Sequence, residues 1–260
     1  MKNTSFKFLS LTIIAVILSS CATMKINYSG KKLDKVQNIV LISTMIGKIQ
    51  LPLFPLIDAA AFNTKPNGIA DKIMDIQKQN IDKFRETLAF SLKKNFNCNV
   101  LYANALQNAT GYAEVKANYD FQNSLLINDE HYPLITLASN DINPFKFENG
   151  VVTSYFTNIA NYKPAISAIC KKLEADLIAF SYSNLTVVGV GAFGVVGYLR
   201  LDTYLYLFDK DGDLISDAHT WSSPISTRGK EVNDYKVQLD NLPLIIEPMM
   251  NKVVLNFQGK

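Results

Sequence analysis

Apolar residues recur along this chain in two rhythms, and the switches between them divide it into elements. From Ile69 the positions Ile73, Ile76, Ile81, Phe84, Leu88, Leu92 and Phe96 return every three to five residues, with Lys, Asp, Gln and Glu between them. That period puts one apolar stripe on a helix, so the longest helix is predicted over 69–96. Asn97 can close it in a left-handed conformation, and Asn99 to Ala103 then reads as a strand. Tyr162 to Glu174 repeats the arrangement. Pro164 suits a first helical turn, Ile166, Ile169 and Leu173 share a face, and Asp176 to Tyr182 supplies the strand. Each unit carries a lysine pair before its strand, Lys93-Lys94 and Lys171-Lys172, where cations favour the carbonyl end of a helix.

Period two marks the strands. Val36 to Thr44 is a β-branched run that reads as the first strand. In Tyr198 to Phe208, Leu199, Leu201, Leu205 and Leu207 fall on one face and Tyr198, Arg200, Asp202, Tyr204 and Tyr206 on the other. A hairpin turn at Asp209 to Asp213 leads to a returning strand, Leu214 to Trp221. Pro243 and Pro248 then precede Met249, Met250, Val253, Val254 and Phe257, an apolar face that suits a closing helix of about three turns. Ile49 to Asn67 holds Pro52, Pro55 and Pro66 with Leu53, Phe54 and Leu56, a loop that either folds back on the core or meets a partner. Leu106 to Ala160 has few periodic runs; Tyr132 to Leu137 and Val151 to Phe156 are its candidate strands. The expected fold class is α/β (α+β). It is a single domain over 36–260, a mixed β-sheet packed by two or three helices, with a central insertion over about 105–160.

Composition narrows the class. Hydrophobic content of 48% with 19% charged residues fits a globular fold and argues against disorder. There are 26 Lys and Arg against 23 Asp and Glu, and two of the lysines, Lys2 and Lys7, precede the domain, so its body is nearly neutral. No nucleic-acid footprint is present, and no cofactor is implied. Cys98 and Cys170 either pair or remain buried thiols beside apolar segments, the second being the commoner use. With these cysteines and His131 and His219 as the softer ligands, a structural metal site is not expected.

The amino-terminal stretch sets the location. Lys2 and Lys7 give a basic start, and Phe8 to Leu18 is too short for the roughly 20 residues of a spanning helix, so residues 1–20 read as a signal peptide. The run ends in Leu18-Ser19-Ser20-Cys21, which resembles the lipobox of bacterial lipoproteins. That resemblance implies cleavage between Ser20 and Cys21 and acylation of Cys21. Two or three acyl chains, at about 0.8 kcal/mol per buried CH₂, anchor stably where one does not. Residues 21–35 read as a polar, lipid-anchored tether. Ala22, in place of aspartate, favours the outer membrane in that family, with the domain facing the periplasm.

Several motifs tempt. Gly189-Val190-Gly191-Ala192-Phe193-Gly194 matches a dinucleotide fingerprint, but strict alternation after Gly197 predicts a strand where that motif needs a helix N-terminus. The stretch reads instead as a Gly-rich hairpin loop. Its uncharged tip could touch lipid or a neighbouring subunit through Val190, Phe193 and Val195. Asp209-Lys210-Asp211-Gly212-Asp213 has its glycine at the fourth position and Thr220 at the twelfth, where an EF-hand needs the sixth and a glutamate. It reads as a turn. Asp217 and His219 share a strand face, yet no nucleophile elbow accompanies them, and ordinary surface roles are expected.

The order of elements also looks like the periplasmic α/β domains of envelope lipoproteins, such as the curli secretion subunit and the amino-terminal domain of TolB. The resemblance is carried by the lipobox, by Ala175 to Ser183 and by Leu199 to Ile215. It implies a non-catalytic, lipid-anchored protein acting through contacts with other envelope proteins, as a scaffold or assembly factor. Two other readings stand beside it: a subunit of an oligomeric outer-membrane secretion channel, and an envelope hydrolase using His219.

Overall fold

The computed structural model describes residues 23–31, 33, 35–46, 66–120, 137–138, 142, 162–190, 197–227 and 232–257. Ser20, Cys21, Phe193 and Val195 lie outside this set, as do all of 47–65 and most of the expected insertion, including the candidate strand Val151 to Phe156.

The described chain is an α/β fold built on one mixed sheet that does not close into a barrel. Its strands are β1 (Thr23–Tyr28), β2 (Asn38–Ile46), β3 (Asn99–Leu101), β4 (Leu137–Ala138), β5 (Leu177–Val190), β6 (Gly197–Asp209), β7 (Leu214–Trp221) and β8 (Ile225–Thr227). The helices are α1 (Pro66–Phe96), α2 (Ala103–Gln107), α3 (Tyr112–Tyr119), α4 (Lys163–Lys172), α5 (Val232–Asp240) and α6 (Leu242–Phe257). The main path runs β1-β7-β6-β5-β2-β3, with β4 on β2 and β8 on β6. β2 is parallel to β3 and β5; β5, β6, β7 and β1 pair antiparallel in succession.

β2 is buried along eight of its nine positions, and successive residues serve two separate cores. Ile39 and Leu41 enter the core under α1, α5 and α6. Val40 and Ile42 enter the core under α2, α3 and α4. The register against β5 shifts between Leu41 and Ser43, a bulge at Ile42. The extra residue reverses the parity, so Met45 joins the second core and Ile46 the first. The carbonyl of Ile42 accepts the Ile142 N–H at 3.1 Å.

Local chemistry explains the helix ends. Asn97 at φ 50° closes α1 as its sequence promised, and Glu174 at φ 51° closes α4. The Asp176 carboxylate accepts the N–H groups of Gln37 (2.7 Å) and Asn38 (2.9 Å), fixing where parallel β2 and β5 begin together.

Three segments differ from the sequence expectation. Residues 23–28, read as tether, form the edge strand β1, because Met24 and Ile26 alternate toward the helices while Lys25 and Asn27 face out. The closing helix begins at Leu242 and contains Pro248. The bond that Pro248 cannot donate would go to the carbonyl of Leu244 on the solvent side, where water can replace it. α5 has no strong apolar period and its packing on α1, α6 and β6 decides its conformation.

The β6–β7 turn is sterically fixed. Gly212 has φ +81°, and an added Cβ would lie 2.2 Å from the Lys163 carbonyl oxygen. Gly212→Ala is expected to destabilise the fold by about 1–3 kcal/mol in urea unfolding, from the left-handed backbone together with the clash. An unchanged midpoint would show that the turn can move away from α4.

Candidate functional site

The alternation of β6 and β7 sets out a polar-aromatic ladder on the sheet face shared with α4. Across the strands, Asn184, Asp202, Trp221 and Thr23 form one row, and Tyr182, Tyr204, His219 and Lys25 form the next row but one. Tyr204 stacks on His219 with ring centroids 4.1 Å apart and planes 9° apart. His219 tilts against Trp221 at 4.8 Å, and Tyr182 and Tyr206 stack on the other sides of Tyr204 at 6.2 and 6.5 Å.

Asp202 is the charge at the centre of the ladder, its side chain 2% exposed. It accepts two bonds from Arg200, Nε at 3.0 Å and Nη2 at 2.9 Å, and contacts His219 Nε2 at 2.7 Å. The Arg200 guanidinium also lies over the Trp221 ring at 5.2 Å. Burial, then the charge on Asp202, pushes the Tyr204 hydroxyl up to about 12, so it stays protonated throughout the physiological range. Burial likewise raises Tyr206.

This arrangement fixes what His219 can do. One ring face is covered by Tyr204, and Nε2 is engaged by a buried carboxylate. Asp217 shares its face, as the alternation required, but bonds Asn27 Nδ2 at 3.2 Å. The nearest carboxylate to His219 is therefore Asp202, two residues from Arg200 on the neighbouring strand, a diagonal relation that reading β7 alone does not reveal.

The second charged cluster is at the opposite end of the sheet. Asp209, Asp211 and Asp213 bring carboxylate oxygens within 4.8 Å of one another. Asp209 Oδ1 accepts the N–H groups of Asp211 (2.9 Å) and Asp213 (3.0 Å), which is how the turn closes. The Lys31 ammonium sits among the three, bonded to Asp209, 3.1 Å from Asp211 and 3.8 Å from Asp213, and Lys163 reaches Asp213 at 2.5 Å. Its bonds to Asp209 and Asp211 raise the Lys31 amine, and the Lys163 bond lowers the Asp213 carboxyl. Two lysines complete this turn as a tie between β1's exit and α4.

Cys98 and Cys170 are both buried free thiols, and they belong to cores on opposite faces of the sheet. Burial, assisted by Asp176, pushes Cys98 up to about 11; burial, assisted chiefly by Asp209, pushes Cys170 up to about 12. Of the sequence-nominated contact residues, Val190 ends β5, while Phe193 and Val195 lie outside the described residues, as do Cys21 and Ser20. The fingerprint reading of Gly189 to Gly194 is met by a strand, β6 from Gly197, and not by the helix that the motif needs after it.

No protein-family model matches the chain, and no curated protein matches it. Among solved structures, two PelC dodecamers from Paraburkholderia phytofirmans align with 88% of this chain at 8% identity. They cover 96% and 95% of the PelC chain at TM-scores of 0.32 and 0.30. The Evf virulence factor aligns with 82% of this chain and 84% of its own at 10% identity and a TM-score of 0.28. At such TM-scores the likenesses carry no argument about assembly or function.

Asp202→Ala is expected to cost about 3 kcal/mol in chemical denaturation, because it leaves Arg200 and His219 without their shared acceptor; Asp217→Ala should stay within about 0.5 kcal/mol of wild type. Equal effects would show that the ladder is held by its rings and not by Asp202. At pH 8 both thiols should resist iodoacetamide in the folded protein and react once it is unfolded, as mass spectrometry of the intact chain would show.

Proposed function

We propose that this protein is an envelope lipoprotein, anchored through acylated Cys21 on the periplasmic side of the outer membrane, that works by binding other proteins and turns over no substrate. The anchor rests on the Leu18-Ser19-Ser20-Cys21 sequence. What supports the binding role is the outer face of the helical layer. Phe90 on α1 is 67% exposed and Leu244 on α6 is 71% exposed.

These two residues share a seam. Lys94 on α1 pairs with Glu247 on α6 at 2.6 Å, and Lys83 on α1 pairs at 3.5 Å with Asp240, the last residue of α5 just before α6 begins, so α6 packs on α1 in the same direction. Along the helices Phe90 lies between Lys83 and Lys94 and Leu244 between Asp240 and Glu247, and Val237 on α5 and Leu255 on α6 are also exposed. An apolar strip edged by charges is the anatomy of a protein contact, with a dry centre and a polar rim. The ladder supports the same reading from the other direction. His219 is fixed between ring and carboxylate, which suits positioning of a sheet face more than proton transfer to a substrate.

Two measurements test this. Cys21→Ser should abolish incorporation of labelled palmitate and leave the uncleaved precursor; a mutant that is still acylated and processed would overturn the anchor. A photo-crosslinking residue at position 90 or 244 should give discrete protein adducts in whole cells, lost in the Phe90→Glu, Leu244→Glu double variant with its thermal midpoint unchanged. Absence of adducts from both positions would overturn the contact role. Adduct mass also separates a second copy of this chain from a different protein.

A further inference from the structure

β1 is the end strand of the sheet, and one hydrogen bond shows which way its backbone groups point. The Ser29 N–H donates to the Ile215 carbonyl at 3.1 Å, one residue beyond Tyr28, which stands opposite Ser216. In an antiparallel ladder such bonded positions alternate with unbonded ones. Asn27 and Lys25 therefore turn their N–H and C=O groups toward β7, and Met24, Ile26 and Tyr28 turn theirs outward. Among the described residues nothing pairs with that outer edge.

The edge lacks most of the devices that keep strands apart. Proteins blunt an exposed edge with proline, a bulge or charge. Thr23 to Tyr28 contains no proline, and its six positions pair with β7 without a register shift. Lys25 is its one charged residue. Lys25 and Asn27 are exposed on the ladder face, opposite His219 and Asp217, while Met24, Ile26 and Tyr28 are half-buried on the other. Ile26 packs on the first core, and Tyr28 meets Phe257 edge to face at 4.8 Å. Apolar side chains and unused backbone groups thus run together along one rim.

The sequence of this rim is complementary to itself. A second β1 laid antiparallel, with Ile26 opposite Ile26 of the other copy, sets Met24 opposite Tyr28 and Lys25 opposite Asn27. Every outward N–H then faces an outward C=O, and the two sheets join as one. Neighbouring registers do worse. Centring on Lys25 places two lysines directly opposite, which is destabilising, and centring on Asn27 sets Met24 against Gly30, past the end of the strand.

Charge selects the same register. Among the described residues Asp217 forms no ion pair, and its carboxylate takes its hydrogen bond from Asn27 Nδ2 at 3.2 Å. Lys25 of a second copy would stand opposite Asn27 and one strand further from Asp217. That is about 10 Å between Cα atoms, which an extended lysine and an aspartate together span. Two-fold symmetry makes the contact twice. A foreign strand would have to bring a lysine to that one position; a second copy carries it there.

We propose that β1 is a homophilic docking edge, on which a second copy of this chain adds its own β1 antiparallel about a two-fold axis through Ile26. The site is separate from the α1–α6 seam and does not depend on acylation of Cys21. A pair of six-residue strands is small beside permanent dimer interfaces, which bury roughly 2,000 Å² or more, so the pairing is reversible.

The test uses the full-length, processed protein in mild detergent. The two native thiols of the body are buried and do not compete. Lys25→Cys and Asn27→Cys chains are mixed and mildly oxidised. Positions 25 and 27 face each other across the pair at about 4.5 Å between Cα atoms, within disulfide reach. The mixture should give several-fold more disulfide dimer than either variant alone, because equal positions lie diagonally apart. Adding Ile26→Pro to both chains should abolish the product and leave the thermal midpoint within a few degrees, since the N–H it removes points away from β7. No dimer from the mixture would overturn the proposal. So would dimer that forms equally in one variant alone or survives Ile26→Pro, since random collision gives both. The comparison of mixture with single variants decides the matter even where Ile26→Pro unfolds the chain. In intact cells, a disulfide from position 25 to a different protein and none between copies would overturn it in favour of a foreign strand.

Discussion

Burial of β2 on both faces is the constraint on which the rest of the structure depends. A strand with water on one side needs one covering layer; β2 needs two, because its alternate residues are apolar in both directions. The chain meets that need by leaving β2 into α1 on one face, pairing β3 in parallel, and returning through α4 on the other face before β5. Helices on both sides and parallel neighbours on both edges follow from one nine-residue segment. The antiparallel half, β5 through β1, is then free to be amphipathic, and its polar-aromatic face is where the ladder forms.

The bulge at Ile42 shows how finely that constraint is set. Without it, Met45 and Ile46 would exchange cores, and Ser43 and Thr44 with them. With it, Thr44 and Ile46 fall in register with Ser181 and Ser183 of β5, and Ser183 meets Thr203 of β6 at 2.8 Å. A polar strip thus crosses the first core, with the Ser183–Thr203 hydroxyl pair and the Ser181 hydroxyl donating to the Tyr204 carbonyl, and small side chains leave room there for the helices above.

Much of this was legible in the chain because periodicity is written locally. The stripe from Ile73 to Phe96, the alternation of β6 and the left-handed Asn97 each depend on neighbours a few residues away. What the sequence concealed depends on distant partners. β1 looks like a polar linker because it is a single edge strand whose outward residues, Lys25 and Asn27, are as polar as any tether; only pairing with β7, nearly two hundred residues later, makes it a strand. The Asp202 cluster was half visible. Arg200 and Asp202 stood on one predicted face, but His219 joins them from β7, and no spacing within either strand announces the bond. Lys31 in the Asp209–Asp213 turn is of the same kind, a basic residue in an unremarkable stretch that completes an acidic turn far along the chain.

The integration of β1 has a mechanical meaning. A pull on the amino end of the chain does not slacken a linker; it loads the six paired positions between β1 and β7 together, in shear along the strand axis. Peeling that strand one bond at a time would need a force across it, which an attachment at Thr23 does not supply. At the far end, Lys31 holds the exit of β1 to the β6–β7 turn, so slippage along the edge must also break an ion cluster. The edge of the sheet is thereby a stiff strut, and motion imposed at the amino end passes directly into the sheet and through it to the helices on both sides.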